Sequence, residues 1–234
     1  MKKLQLILGC LTIGVLSSFA QTDFTLSEQL FSRIGINPAG IGNSANVNIF
    51  SLNRFQYAGM EGAPFTTQLN VHSYIEKAKS GIGLTVSYDK SGIAYQQIQA
   101  KAVYAYNLNF GKHHIFSFGI GLGLYYKSFD PSKHIYNPDP AVPDRFQDET
   151  RFDASFGIEY ANPYILIGVS MNHIPGYFYE QTTLSSAPSY YGYVRGFIPC
   201  SEGFKLAPAV AYYYTGQYHV IDPNVTGFIG KYVY

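Results

Sequence analysis

The sequence predicts an all-β fold, a transmembrane antiparallel up-and-down β-barrel, and three observations support this prediction. Aromatic residues make up 17% of the chain and charged residues only 13%, whereas soluble domains usually carry about a quarter charged residues. Apolar residues alternate one by one with small or polar residues through long stretches. After Ala20, no apolar stretch reaches the roughly 18 residues that a membrane-spanning helix needs. An exported chain of this composition would therefore cross a membrane with strands.

The N-terminal residues are typical of a secretory signal. Lys2 and Lys3 form a basic start, residues 4–16 are mostly apolar, and residues 18–20 have the small-x-small pattern of a cleavage site. We expect residues 1–20 to be a signal peptide that is cleaved near Ala20. Lipidation of Cys10 is the alternative, but the apolar run continues past Cys10, where it should end.

We expect residues 21–234 to form one outer-membrane β-barrel domain, with 21–45 as a periplasmic lead-in. Residues 114–127 give the strongest pattern: large apolar side chains occupy every second position, and glycine recurs at positions between them. Side chains of a strand point to alternate faces, so one face meets lipid and the other the lumen. Ten strands are predicted, at 46–57, 66–75, 81–89, 97–108, 114–127, 151–160, 164–172, 190–198, 204–214 and 218–229, and 232–234 could begin an eleventh.

The predicted connections alternate in length, as they do in outer-membrane barrels. If the first strand runs outward, the long connections 130–150 and 173–188 lie outside. Polar residues at alternate positions are predicted to face the lumen, because a soluble core would not tolerate such charges without partners. The predicted periplasmic turns fall near 76–80, 111–112, 161–163, 200–203 and 230–231, and the predicted lumen-facing residues are Gln97, Lys101, Lys127, Arg151, Asp153 and Glu159.

Several short motifs occur in a fixed order along the chain. Asn37-Pro38-Ala39-Gly40 precedes the first strand, Arg54-Phe55-Gln56-Tyr57 ends it, Gly62-Ala63-Pro64 follows, and Asp222-Pro223-Asn224 lies near the end. In this order and spacing the chain resembles the PorP/SprF family of the type IX secretion system. Glycine and proline here also suit ordinary turns; the resemblance instead implies a plug or rim that meets partners. The candidate motif and partner-contact residues are Asn37, Pro38, Arg54, Gln56, Gly62, Pro64, Asp222 and Asn224.

The resemblance implies an outer-membrane barrel that assists the export or surface anchoring of a partner protein, such as a gliding adhesin. Its implied partners are the lipid bilayer, other type IX secretion components and a secreted surface protein. The family usually has more strands than the ten predicted, so we expect part of a larger, C-terminally truncated barrel. The alternative function is an outer-membrane pore or transporter for small or hydrophobic solutes, because the polar inner face would permit a wet lumen.

The sequence predicts no enzyme, cofactor or metal site. Ser170 and His173 lack a second orienting group and a Gly-x-Ser-x-Gly turn, and the adjacent His113 and His114 would point to opposite faces of a strand. The acidic stretch 130–153 is interpreted as a solvated outer loop; calcium binding or docking of an exported partner is the alternative, although EF-hand spacing is missing. A net charge of +1 argues against nucleic acid as a partner.

Overall fold

A computed structural model describes residues 27–42, 46–111, 113–133, 146–179, 182, 184–215 and 219–229. The predicted signal peptide, the first part of the lead-in and the possible strand at 232–234 lie outside the described residues. So does 134–145, the middle of the acidic stretch.

The described residues form one sheet of eleven antiparallel strands. Consecutive strands pair with each other, in the order β1 to β8, then β10 and β11, with the short β9 also paired to β10. This confirms the predicted all-β, up-and-down architecture. The strands are β1 (Asn48–Phe55), β2 (Phe65–Ile75), β3 (Ser80–Ser91), β4 (Tyr95–Phe110), β5 (His114–Phe129), β6 (Gln147–Ala161), β7 (Ile165–Asn172), β8 (Ser189–Gly196), β9 (Ile198–Ser201), β10 (Phe204–Tyr214) and β11 (His219–Ile229).

Most strand ends lie within two residues of the prediction, and two strands differ more. The predicted strand 190–198 ends at Gly196, and β9 follows it after Phe197, whose N–H bonds the carbonyl of Tyr164 instead (2.8 Å). Pro199 in β9 has no N–H to donate, and the register of β9 against β10 shifts at Phe204. β6 begins at 147 rather than 151, because its polar first residues still pair with the end of β5.

The sheet is not closed into a cylinder in the described residues. Among the described strands, β1 pairs only with β2, and β11 pairs only with β10. The sheet is nevertheless strongly curved. The curvature is evident from Lys101 Nζ on β4, which lies 3.5 Å from Asn172 Oδ1 at the end of β7, three strands away. We call the concave side the inner face and the other side the outer face. The end that carries the turns near 76–79 and 111–113 is the short-turn end, and the opposite end is the long-loop end.

The two faces differ as the alternation predicts. On the outer face of β5, Ile120, Leu122 and Leu124 are 47–55% exposed, whereas Tyr125 and Lys127 on its inner face are 2% exposed. A strand that shows such large apolar side chains on one face needs an apolar environment there. None of the described helical segments is long and apolar enough to span a membrane.

The inner face is covered by the N-terminal segment 27–42, which we call the plug segment. It contains three 3-10 turns, Ser27–Phe31, Arg33–Gly35 and Pro38–Ile41. The buried apolar core lies between this segment and the sheet, in two clusters. One joins Leu30 and Ile36 to β7, β8 and β10, and the other joins Ile34 and Ile41 to β4; their wall residues are Leu166, Tyr193, Ala209, Val103 and Ala105.

Candidate functional site

Asn37 fixes the plug segment at the centre of the inner face and is fully buried. Its Oδ1 accepts a hydrogen bond from the N–H of Ala39 (2.9 Å), which makes it the N-cap of a turn whose next residue is proline. Its Nδ2 lies within donating distance of the carbonyls of Ile158 (3.1 Å) and Val169 (3.4 Å) and of the Tyr193 hydroxyl (3.0 Å). One side chain therefore both shapes the plug turn and ties it to three strands.

Glycines on the inner face make room for this turn. A Cβ on Gly119 would collide with the backbone of Pro38 and Ala39, and a Cβ on Gly157 would collide with the Asn37 side chain. On β3, Gly81 and Gly83 leave space in the same way for two isoleucines of the plug segment. The small residues that the sequence predicted on the inner face thus allow the plug backbone to approach the sheet closely.

A buried ion pair joins the plug segment to β6. Arg33 Nε lies 2.7 Å from Glu159 Oε2, and Arg33 Nη2 lies 3.2 Å from Glu159 Oε1. Tyr193 also donates its hydroxyl proton to Glu159. Burial acts to lower the pKa of Arg33, but the charge interactions and hydrogen bonds with Glu159 and Tyr193 together outweigh burial and hold the pKa above its ordinary value. The plug arginine therefore stays charged and satisfies a carboxylate that is only 3% exposed.

Side chains of the inner face also satisfy backbone carbonyls of the plug segment, which have no sheet partner. The Ile36 carbonyl accepts from Ser170 Oγ (2.7 Å) and from Asn172 Nδ2 (2.9 Å). Buried carbonyls without such donors would destabilise the segment. Two further carbonyls are satisfied in the same way: Leu30 O by Arg195 Nη1 (3.2 Å) and Gly42 O by Asn107 Nδ2 (3.0 Å).

At the long-loop end, the described part of the connection between β7 and β8 also turns inward. His173 Nδ1 lies 3.0 Å from Asp153 Oδ1, and Gln99 Nε2 donates to the other oxygen of Asp153 (2.8 Å). Farther along, the N–H of Ser186 donates to the Tyr125 hydroxyl (3.3 Å). We call the described residues between β7 and β8 (173–179, 182 and 184–188) the cap loop, because His173 and Ser186 contact the inner face at the long-loop end.

All six predicted lumen-facing residues lie on the inner face, and five of them are buried. Three have partners in the plug segment, in the cap loop or beside it: Glu159 binds Arg33, Asp153 binds His173, and Lys101 approaches Asn172. In the part of the chain that the structure describes, most of these side chains are therefore covered by protein rather than open to solvent. Gln97, Lys101, Lys127, Asp153 and Glu159 are at most 4% exposed, and Arg151, with Glu149 as its ion-pair partner, is partly buried.

The structure places the eight predicted motif residues in three separate regions. Asn37 and Pro38 are buried in the plug segment. Arg54 is the next-to-last residue of β1. Gln56, Gly62 and Pro64 lie in the turn that follows β1, where the N–H of Gln56 donates to the carbonyl of Pro64 (3.1 Å). Asp222 and Asn224 lie on the inner face of β11. The motif residues therefore do not form one surface.

A second feature is a cleft of about 430 Å³ at the short-turn end. It lies between the turns that follow β4 and β6 and includes His113, His114 and Asn162. The His114 ring is held by the Tyr160 hydroxyl (2.7 Å). Within the described residues, no three or more histidine, cysteine or acidic side chains group as they would around a metal ion.

Sequence reasoning missed Arg33, Tyr193 and the inward course of the cap loop. Arg33 and Glu159 are 126 residues apart in the chain, and no local pattern connects them. Tyr193 occupies an inner position of β8, where the alternation predicts a small or polar residue. This exception to the pattern was the sequence feature that could have indicated a buried contact on the inner face.

The comparison with known families finds a match. The family described as "Type IX secretion system membrane protein PorP/SprF" matches residues 18–233, nearly the whole chain. This confirms the resemblance inferred from the ordered motifs. No curated protein and no solved structure matches the chain.

Proposed function

The chain belongs to the PorP/SprF family and is thus an outer-membrane component of the type IX secretion system, and we propose that it assists the export or surface anchoring of one partner protein. A gliding adhesin is an example of such a partner. In this proposal the chain has no chemistry of its own and acts through its surfaces.

The filled inner face is the observation that carries this proposal. The plug segment is held by the fully buried Asn37, by the Arg33–Glu159 ion pair and by two apolar clusters. A conducting pore needs a continuous wet path, and such a path would require these contacts to break together. The same contacts suit a scaffold that keeps one shape while partners bind at its two ends.

Surface display in the native bacterium tests the proposal. Deleting the gene should remove one surface protein, or a small set, from intact cells, as measured by mass spectrometry of surface-labelled protein. Complementation with the wild-type gene should restore it. A surface proteome that is the same with and without the gene would contradict the proposal.

A further inference from the structure

A small polar cavity lies between the inner face and the plug segment, toward the long-loop end. We call it the Lys101 cavity, and its volume is about 30 Å³. A cavity of about 10–15 Å³ already holds one water molecule, so the Lys101 cavity has room for a single small ion. Six of its lining side chains are polar and at most 6% exposed, namely Gln68, Thr85, Ser87, Lys101, Asn172 and His173.

Lys101 brings a buried charge to this cavity. Its side chain is 4% exposed, and its Nζ lies 3.5 Å from Asn172 Oδ1. This distance is longer than that of a usual N–H···O bond, which is about 2.7–3.2 Å. In the described part of the chain, the ammonium group has no other protein acceptor, although it carries three N–H donors. Burying an ammonium group in this way is unfavourable unless a counter-charge joins it.

Among the described residues, no carboxylate lines the Lys101 cavity. Asp153 is in the same register row as Lys101, but it lies on β6, and Gly123 of β5 is between them. Because neighbouring strands are about 4.8 Å apart, the two backbones are roughly 10 Å apart along the sheet. Gln99 Nε2 donates to one oxygen of Asp153, and His173 Nδ1 lies 3.0 Å from the other. The Asp153 carboxylate is therefore bound by these two side chains rather than by Lys101.

The neighbours of Lys101 in the cavity are uncharged hydrogen-bonding groups. Thr85 pairs with Lys101, and Ser87 lies two residues farther along the same face of β3. Gln68 on β2 pairs with Ser87, and its amide lies so close to the plug segment that a Cβ on Gly35 would collide with it. Within the described residues, the side chains of Thr85, Ser87 and Gln68 have no other hydrogen-bond partner. Hydroxyl and amide groups can donate to an anion, and such bonds are about twice as strong as those to a neutral acceptor.

The charge of the cavity restricts its occupant. One ammonium group neutralises one negative charge, so a divalent anion such as sulfate would leave a second charge buried without a partner. The small volume of the cavity also excludes a bulky ligand. Chloride meets both conditions, because it is monatomic and monovalent and accepts hydrogen bonds from several directions.

We propose that the Lys101 cavity binds one small monovalent anion, with chloride as the cellular ligand. Lys101 neutralises the anion, and the side chains of Thr85, Ser87 and Gln68 donate hydrogen bonds to it. Neither β1 nor β11 lines the cavity, so the site does not depend on what lies beyond the two edges of the sheet. The anion joins β2, β3 and β4 to the plug segment, whereas the Arg33–Glu159 ion pair joins that segment to β6.

Bromide locates the site directly, because its anomalous scattering distinguishes it from water. Crystals of the full chain in detergent, soaked in sodium bromide, should show an anomalous peak within hydrogen-bonding distance of Lys101 Nζ. Water density in the cavity without such a peak would overturn the proposal. Bromide peaks confined to the outer surface of the protein would overturn it as well.

Thermal unfolding of the full chain in detergent measures the binding in solution. Sodium chloride should raise the unfolding midpoint above that in sodium gluconate of equal ionic strength, because gluconate is too large for the cavity. At a chloride concentration about a hundred times the dissociation constant, the expected rise is roughly 5–10 °C. Equal midpoints in the two salts would contradict the proposal.

Two cavity variants and one control assign the effect to Lys101. Lys101→Met removes the buried charge and should abolish the difference between chloride and gluconate, while in gluconate it should be at least as stable as the parent chain. Ser87→Ala should weaken the apparent affinity for chloride about tenfold, as expected for the loss of one hydrogen bond to a charge. Lys77→Gln, which removes an exposed lysine at the short-turn end, should leave the chloride effect unchanged. A chloride effect that persists in Lys101→Met would overturn the proposal.

Discussion

Asn37→Ala is the sharpest perturbation of the plug segment. The substitution removes an amide whose Nδ2 lies within donating distance of the Tyr193 hydroxyl and of two strand carbonyls, and whose Oδ1 accepts from the Ala39 N–H. A buried hydrogen bond contributes about 0.5–1.5 kcal/mol, and a buried donor left without a partner costs about 1–3 kcal/mol. The Tyr193 hydroxyl keeps Glu159 as its acceptor, so the main loss is at Ala39 and at the two carbonyls.

Together, these losses should reduce the free energy that holds the plug segment on the inner face by about 2–4 kcal/mol. Because each 1.4 kcal/mol changes an equilibrium constant by a factor of about ten, the fraction of molecules in which the plug segment has left the inner face should rise roughly 30- to 1000-fold. The assay uses Ala39→Cys, which places a thiol at a position that is 0% exposed, in a chain that also carries Cys200→Ser, because the native Cys200 is exposed and would react as well. It follows labelling of the new thiol by a membrane-impermeant maleimide in folded protein.

The labelling rate should rise strongly when Asn37→Ala is added to the Ala39→Cys chain. Asn109→Ala is the matched control, because it removes the same amide from an exposed position, and it should leave the rate unchanged. A rate within about twofold of the parent in the Asn37→Ala chain would refute the assignment of Asn37 as the residue that holds the plug.

Three further predictions use the same folded protein. Gly119→Ala should destabilise the packing of the plug segment by about 1–3 kcal/mol and raise the rate of thiol labelling. Gly192→Ala is the control, because its Cβ meets nothing within 4 Å, and it should leave the rate unchanged. Equal labelling rates in the two variants would contradict the role of Gly119 in making room for the plug segment. Glu159→Gln leaves the charge of its arginine partner unneutralised and should lower the free energy of unfolding by about 2–3 kcal/mol. The loss is smaller than for a fully buried pair, because the arginine side chain is 20% exposed. An unchanged urea midpoint, measured by circular dichroism, would count against a stabilising role of the ion pair. His173→Ala should release the cap loop from Asp153. Chymotrypsin should then cleave after the aromatic residues that follow position 173 faster than it does in the His113→Ala control. Equal cleavage rates in the two variants would argue that the contact with Asp153 does not hold the loop.

The strands could be predicted because their signal is local. A two-residue alternation is visible within any ten residues, and it located ten strands within a few positions of their ends. β1 gave a weaker pattern, since Phe50 and Leu52 point inward and Ser51 points outward. The break between β8 and β9 depends on pairing with β10, which a local pattern does not contain.

The interior could be predicted only in part. Inner-face polarity and the alternating glycines were visible in the sequence, but what fills the space beside them was not. The contacts of Asn37 with Tyr193 and of Arg33 with Glu159 join positions more than 120 residues apart. Long-range packing of this kind leaves no periodic trace, so the inward course of 27–42 required the three-dimensional structure.

Planar-bilayer recording of the unmodified chain tests most directly whether residues 27–42 fill the interior. Because the plug segment contacts the inner face throughout, we expect the unmodified chain to give no stable unitary current across a range of voltages. Asn37→Ala should add brief, irregular openings. Steady, long-lived channels from the unmodified chain would contradict a filled interior.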